Sequence, residues 1–142
     1  MSIPNDPSAT HARILLVDDD PLIAELVVDM LGLEGHEVDT APDGLEALRR
    51  LESQRYDLII TDLHMPKLDG SGFYRQLAER RTHPLKKIIF LTGTTGTSRE
   101  HDLIRASGVP ILLKPFNVAE LTELVGRMLR EPEPAPAHSR ET

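Results

Sequence analysis

Short apolar runs that alternate with longer segments of helical period constrain the fold of this chain most strongly. Three of the runs are ILLV at 14–17, LIIT at 58–61 and KIIFL at 87–91, and they lack the polar alternation of a half-solvated strand. Strands of this kind are covered on both faces and occur mostly in parallel sheets. With two weaker strands at 37–40 and 111–113, the chain predicts a five-stranded parallel sheet.

Helices are predicted between the strands. Two apolar stripes recur at helical spacing: Leu22, Ile23, Leu26, Val27, Met30 and Leu31, and then Leu121, Leu124, Val125, Met128 and Leu129. Capping residues precede both stripes, namely Asp20 with Pro21, and Asn117 with Glu120, which resemble a capping box. A shorter helix is predicted after the turn at 42–44, and weaker stripes indicate helices near 71–80 and 98–106.

The β-α-β succession restricts the topology. Right-handed crossovers place helices on both faces of one sheet, which gives a doubly wound α/β domain. Ligands of such sheets bind outside the carboxyl ends of the strands. The residues that directly follow the strands are therefore the candidate functional residues.

A single domain at 13–130 is predicted between two polar ends, 1–12 and the proline-rich 131–142, which are expected to be disordered. The absence of cysteine excludes thiol catalysis and cysteine-based zinc sites. The net charge of −7 argues against direct contact with nucleic acid. No apolar run approaches the roughly 20 residues that cross a bilayer, and no secretory signal is apparent. We expect a soluble, cytoplasmic protein that is monomeric or weakly dimeric.

Acidic residues are concentrated where the first strand ends, at Asp18, Asp19 and Asp20. Helix capping alone would need only Asp20. Clustered carboxylates repel one another and raise one another's pKa unless a cation lies among them. Magnesium is the natural candidate, because it binds oxygen ligands and keeps waters and phosphate oxygens in its coordination shell. Asp18 and Asp19 are therefore candidate metal ligands.

Three further polar residues end neighbouring strands: Asp62, Thr92 and Lys114. Aspartyl-phosphate chemistry needs a carboxylate nucleophile, a metal that offsets the charge of the incoming phosphate, and donors for its oxygens. Asp62 can supply the nucleophile, Thr92 a hydroxyl and Lys114 an ammonium. Taken singly, Thr92 could be an ordinary strand-end residue and Lys114 an ordinary solvent-exposed lysine. The combination of all these residues is therefore stronger evidence for phosphoryl chemistry than any one of them.

The segments LLVDDDP, LIITDLHMPKLDG, FLTG and LLKPF, which span about 13–130, resemble the response-regulator receiver family in order and spacing. The resemblance implies a flavodoxin-like sheet with strand order 2-1-3-4-5. It also implies a phosphoryl group transferred to the chain from a phosphohistidine on a sensor histidine kinase or a histidine phosphotransfer protein. Such a domain promotes its own phosphorylation and dephosphorylation but is not an enzyme in the turnover sense.

The resemblance also assigns residues. Asp62 would be the phosphoacceptor, and Asp18 and Asp19 would form an acidic pocket. Mg²⁺ would be bound mainly through Asp19, Asp62 and the backbone carbonyl of His64. Thr92 and Lys114 would contact the phosphoryl group, and a cis peptide is expected between Lys114 and Pro115.

Two features depart from the common family pattern or qualify it. Ile111 stands three residues before Lys114, where many members have tyrosine or phenylalanine, so an aromatic rotamer switch cannot operate there. The GVPILLKPF segment is similar to receivers attached to hybrid sensor kinases, which favours a piece of, or a partner for, such a kinase.

Three other functions fit parts of the pattern. A haloacid-dehalogenase-type phosphatase would use Asp18 and Asp20, but Pro21 and the residues after Lys114 depart from that family. A flavin-binding flavodoxin would need a phosphate loop after the first strand, where this chain has aspartates that repel phosphate. A receiver-fold interaction module that works without phosphorylation would not need all of the polar set.

Overall fold

The structure, a computed structural model, describes residues 11–63, 72–73, 75–77, 87–93 and 108–130. Its strands are β1 (Arg13–Val17), β2 (Glu37–Ala41), β3 (Leu58–Asp62), β4 (Ile88–Thr92) and β5 (Ile111–Leu113). Its helices are α1 (Pro21–Leu33), α2 (Gly44–Ser53) and the C-terminal helix (Val118–Arg130), and residues 72–73 and 75–77 are also helical. The five predicted strands are confirmed, with ends that differ by at most one residue.

Some predictions fall outside these ranges. The helix near 98–106, His64, and the two polar ends except residues 11–12 lie outside the described residues. The domain boundaries at 13 and 130 therefore stay predictions.

All five strands are parallel and follow the order β2-β1-β3-β4-β5, as predicted. Val17 pairs with Thr61, Asp62 with Leu91, and Thr92 with Leu113. This register brings the ends of β1, β3, β4 and β5 together at one side of the sheet, which we call the carboxyl edge. The opposite side, where the strands begin, is the amino edge.

Alternating side chains of the central strands fill a separate core on each face of the sheet. On one face, Leu15, Ile59 and Phe90 are fully buried beneath α2 and the helical residues at 72–73 and 75–77. On the other, Leu16 and Ile60 are fully buried beneath α1 and the C-terminal helix. Burying each such side chain contributes about 1.5–3 kcal/mol. The helices thus cover both faces, as the doubly wound prediction requires.

The predicted helix caps are formed. Asp20 Oδ1 accepts hydrogen bonds from the amides of Leu22 (2.9 Å) and Ile23 (3.5 Å). The capping box is reciprocal, because the Glu120 amide donates to Asn117 Oδ1 at 2.8 Å and the Asn117 amide donates to Glu120 Oε1 at 3.2 Å. Each cap contributes about 1 kcal/mol and fixes where its helix begins.

The predicted stripe of α1 is wrong at two positions. Val27 and Leu31 are fully buried, but Leu22 is 75% and Leu26 41% exposed. The stripe is two residues wide on each turn, so it covers a broader arc of the helix than the sheet can bury. No helix within the described ranges is long and apolar enough to span a membrane.

Candidate functional site

Backbone hydrogen bonds continue beyond the strands and fix the polar residues at the carboxyl edge. The Asp18 amide donates to the Ala41 carbonyl at 3.0 Å, and the Lys114 amide donates to the Thr92 carbonyl at 2.7 Å. Next to Asp62, the Leu63 amide donates to the Leu91 carbonyl at 2.8 Å. Because these bonds extend the sheet ladder, the side chains at the edge are held by the sheet itself.

Lys114 joins the two buried carboxylates of the edge. Its Nζ atom lies 3.1 Å from Asp18 Oδ2 and 3.1 Å from Asp62 Oδ2. The side chains are 0% exposed for Asp18, 9% for Asp62 and 20% for Lys114. Hydrogen bonds between ionised groups in such a setting are roughly twice as strong as neutral ones. The sequence predicted that these residues would meet, and they do.

The site changes the acidity of two of its groups. Burial raises the pKa of the Asp18 carboxyl, and the nearby charge of Asp62 adds to the increase, while the Asp20 amide and Lys114 oppose it. Burial alone would lower the pKa of Lys114, but its hydrogen bond to Asp62 and the charges of Asp18 and Asp62 raise it overall. Lys114 therefore stays protonated and supplies the positive charge of this cluster.

Oxygens that suit a hard cation converge beside this lysine. Asp18, Asp19 and Asp62 each offer one carboxylate oxygen, and these atoms lie within 4.8 Å of one another. Asp19 is exposed, so this side of the cluster is open to solvent. Mg²⁺ binds proteins through one or two carboxylates and retains waters. The donor set therefore fits magnesium, whereas the fourth predicted ligand, His64, lies outside the described residues.

Thr92 and the fifth strand complete the edge. Thr92 is fully buried at the end of β4, and its carbonyl holds the Lys114 amide. Gly93 lies beside Lys114, whose Cβ would be 3.9 Å from a Cβ added at this glycine. The peptide between Lys114 and Pro115 is cis, as predicted.

Two contacts that position the site were not predicted from the sequence. Asp18 Oδ1 accepts a hydrogen bond from the Asp20 amide at 2.9 Å, which ties the pocket to the cap of α1. The spacing of two residues is typical of an Asx-turn and was the available signal. The buried hydroxyl of Thr61 donates to the Asp62 carbonyl at 3.1 Å, and nothing in the sequence pointed to that bond.

Comparison with known proteins gives consistent matches. The response regulator receiver domain family matches residues 14–126. The transcriptional regulatory protein CpxR homolog of Haemophilus influenzae is 36% identical over 84% of this chain and 51% of its own length. Response regulator MprA of Mycobacterium bovis is 37% identical over 88% of this chain and 54% of its own. The chain thus spans about half the length of these curated relatives.

Solved structures agree with this match. The chemotaxis response regulator CheY4 of Vibrio cholerae is 37% identical, with a TM-score of 0.68 over 84% of this chain and 99% of that protein. The receiver domain of sensor histidine kinase PA1611 from Pseudomonas aeruginosa, described with magnesium coordinated in its active site cleft, is 32% identical, with a TM-score of 0.72 over 86% of this chain and all of that domain. With the sheet order and the polar edge described above, these matches show that the chain belongs to the response regulator receiver domain family.

Proposed function

We propose that this domain receives a phosphoryl group on Asp62 in a two-component or phosphorelay pathway, from a phosphohistidine on a sensor histidine kinase or a histidine phosphotransfer protein. The observation that carries the proposal is the buried cluster of Asp18, Asp62 and Lys114 at the carboxyl edge. Two carboxylates buried side by side weaken a fold, so a chemical role accounts for them better than a structural one.

The chemistry follows from the position of each side chain. A carboxylate oxygen of Asp62 attacks phosphorus, the bond from phosphorus to the donor imidazole breaks, and the released imidazole takes up a proton. The Lys114 ammonium, 3.1 Å from Asp62, is placed to attract the oxygens of the transferred group. The Thr92 hydroxyl, on the neighbouring strand, would donate to the same group.

The acidic residues have separate parts in this proposal. Asp19, Asp62 and the carbonyl of His64 would hold Mg²⁺, which when bound offsets the negative charge of the phosphoryl oxygens. Asp18 already uses one oxygen for Lys114 and the other for the Asp20 amide, so it would position Lys114 and shape the pocket.

Intact-mass spectrometry tests the acceptor. After incubation with acetyl phosphate and Mg²⁺, the protein should gain the mass of one phosphoryl group, and Asp62→Asn should not. Asp57→Asn is the matched control, because Asp57 lies at the amino edge, where its carboxylate accepts a hydrogen bond from the Arg13 amide. If neither acetyl phosphate nor a kinase donor labels the wild type, the receiver-fold interaction module becomes the better explanation.

Magnesium should stabilise the folded domain. A ligand present at about 100 times its dissociation constant adds about 2.7 kcal/mol to the free energy of unfolding. We expect a rise in Tm when Mg²⁺ is added, reversal by a chelator, and a much smaller rise in Asp19→Asn. An Asp19→Asn protein that responds like the wild type would remove Asp19 from the ligand set.

The wider setting is part of the same proposal. We place the domain in the cytoplasm, as a signalling component that promotes its own phosphorylation and dephosphorylation, either attached to a hybrid sensor kinase or served by one. The likeness to the receiver domain of a sensor histidine kinase supports this setting. The prediction that these residues make no direct contact with nucleic acid rests on the net charge of −7. It concerns these residues alone, because one longer relative is named a transcriptional regulatory protein and this chain covers only 51% of it.

A further inference from the structure

His36 lies at the amino edge, far along the fold from the acidic cluster, in the tight connection between α1 and β2. The helix ends in a Schellman motif, in which the His36 amide donates to the Leu31 carbonyl at 3.1 Å and the Gly35 amide to the Gly32 carbonyl at 3.0 Å. Gly35 has φ of +95°, which an L-residue rarely adopts. The backbone of His36 is therefore fixed, and its ring faces the start of β1.

The ring of His36 accepts a hydrogen bond. The Ala12 amide, at the start of β1, donates to His36 Nδ1 at 3.2 Å. A backbone N–H can only donate, so Nδ1 must carry a lone pair in this contact. An imidazolium has a proton on both nitrogens. Protonation of His36 and its bond to Ala12 are therefore mutually exclusive.

Breaking that bond is unfavourable for the Ala12 amide, but it leaves the neighbouring sheet contact in place. Ala12 is only 3% exposed, so its amide would be left buried without its partner, which is unfavourable. The next contact along the ladder, from the Glu37 amide to the Ala12 carbonyl at 2.9 Å, does not involve the ring. The release is thus expected to be local to the start of β1.

The surroundings set the direction of the titration. Burial lowers the pKa of His36, Glu34 at the end of α1 raises it, and His11 before β1 lowers it. Other charged groups near this edge are Arg13 on β1, Glu37 and Asp39 on β2, Asp57 before β3 and Lys87 before β4. The Arg13 guanidinium lies 3.1 Å from Glu37 Oε1 and 3.5 Å from Asp39 Oδ2, and the Arg13 amide donates to the Asp57 carboxylate. Because the pKa in the folded protein lies below the ordinary value of 6.5, the contact is complete above that pH and is lost as the pH falls through the lowered pKa.

We propose that neutral His36 is a pH-sensitive latch that fastens the start of β1 to the end of α1, and that its protonation releases this contact without opening the rest of the sheet. The contacts of the latch are made by His36, Ala12 and Leu31, so the proposal does not depend on phosphorylation at Asp62. It would make the amino edge respond to acidification across the range in which histidine titrates.

Hydrogen exchange of the Ala12 amide, followed by NMR from about pH 7.5 to about pH 5, tests the latch. After correction for the intrinsic exchange rate, protection of Ala12 should fall roughly tenfold or more as the His36 ring titrates. The core amide of Ile60 should not follow that titration. An Ala12 protection factor that stays constant while His36 titrates, or a His36 that does not titrate while the protein is folded, would overturn the proposal.

Two variants separate titration from simple loss of a side chain. His36→Asn places an amide oxygen near the position of Nδ1, so it should keep Ala12 protected at both ends of the pH range. His36→Ala should leave Ala12 unprotected at both. If the Ala12 amide loses protection on acidification in His36→Asn as it does in the wild type, a group other than His36 is responsible and the proposal is wrong. If a variant fails to fold, the Ala12 protection of the wild type as a function of pH still tests the proposal.

Discussion

The two edges of one sheet use their charges in opposite ways. At the amino edge, Arg13 Nη2 lies 3.1 Å from Glu37 Oε1, and Arg13 Nη1 lies 3.5 Å from Asp39 Oδ2. The three side chains are between 33% and 57% exposed. At the carboxyl edge, two carboxylates that repel each other share one lysine, and all three side chains are at most 20% exposed. Opposite charges alternate at the first edge, whereas like charges are gathered at the second.

This difference separates structure from function. Exposed ion pairs contribute about 0–1 kcal/mol, so the charges of the amino edge add little to the free energy of unfolding, and removing one of them should cost little. Burying charged groups costs several kcal/mol per ion before their attraction is counted. Proteins keep such arrangements mainly where activity needs them. Substitutions at the two edges should therefore differ in size and even in sign.

Lys114→Met should give the largest effect. It leaves Asp18 and Asp62 buried together without their counter-charge, and we expect a loss of about 3 kcal/mol in the free energy of unfolding at neutral pH without divalent cations. The matched change at the amino edge, Arg13→Met, should cost about 1 kcal/mol or less. Urea denaturation measures both.

The pH dependence of that loss sharpens the comparison. Because the pKa of Asp18 is raised, this carboxyl takes up a proton as the pH falls, and the repulsion that Lys114→Met exposes should then shrink. Equal losses in the two variants, or a loss in Lys114→Met that does not change with pH, would contradict the contrast between the edges.

Tyr56, just before β3, gives an intermediate effect at alkaline pH. Burial and a 2.6 Å hydrogen bond to Asp39 raise its pKa from 10.0 to about 12. Since the folded-state pKa is raised, this contribution is complete below pH 10 and is lost as the pH rises through about 12. One pKa unit corresponds to about 1.4 kcal/mol, so a rise of two units corresponds to a loss of about 2.8 kcal/mol in the free energy of unfolding.

Tyrosinate absorbance measures this pKa directly. The chain has one other tyrosine, so titration of Tyr74→Phe reports Tyr56 alone. Tyr56→Phe should remove the alkaline loss of stability. Ionisation of Tyr56 near pH 10 would show that its hydroxyl is not held by Asp39.

Asp62→Asn should have the smallest effect and the opposite sign. It removes one of two like charges buried at the carboxyl edge, and we expect a gain of about 1 kcal/mol without metal, although phosphorylation is lost. Asp57→Asn, at the amino edge, should stay within about 0.5 kcal/mol of the wild type. A destabilised Asp62→Asn would mean that the pair with Lys114 outweighs the repulsion.

The sequence supported the fold better than the details of the site. Runs such as ILLV and LIIT predicted strands correctly because burial on both faces leaves a direct mark on composition. The exposure of Leu22 and Leu26 could not be foreseen, because a helical stripe does not show how much of it the sheet covers. Asp18, Asp62 and Lys114 were placed at one edge by topology alone.

The contacts within that edge needed three-dimensional distances. Nothing in the order of residues shows that one Nζ atom lies 3.1 Å from both carboxylates, or that Ile111 packs against the core on the α2 face. The structure shows that Asp18, Asp62 and Lys114 lie together, but the chemical roles of the predicted site residues stay predictions until the chemistry is measured: Asp18, Asp19, Asp62, His64, Thr92 and Lys114.

The hydrogen bond between Asp18 and the Asp20 amide has a mechanical consequence. Asp18 Oδ2 accepts a hydrogen bond from Lys114, and Asp18 Oδ1 accepts one from the Asp20 amide. The Asp20 carboxylate in turn accepts a hydrogen bond from the Leu22 amide in the first turn of α1. Only one residue separates the two aspartates, so no slack loop lies between the pocket and the helix. A displacement of the Asp18 carboxylate would therefore also displace the N-terminal turn of α1.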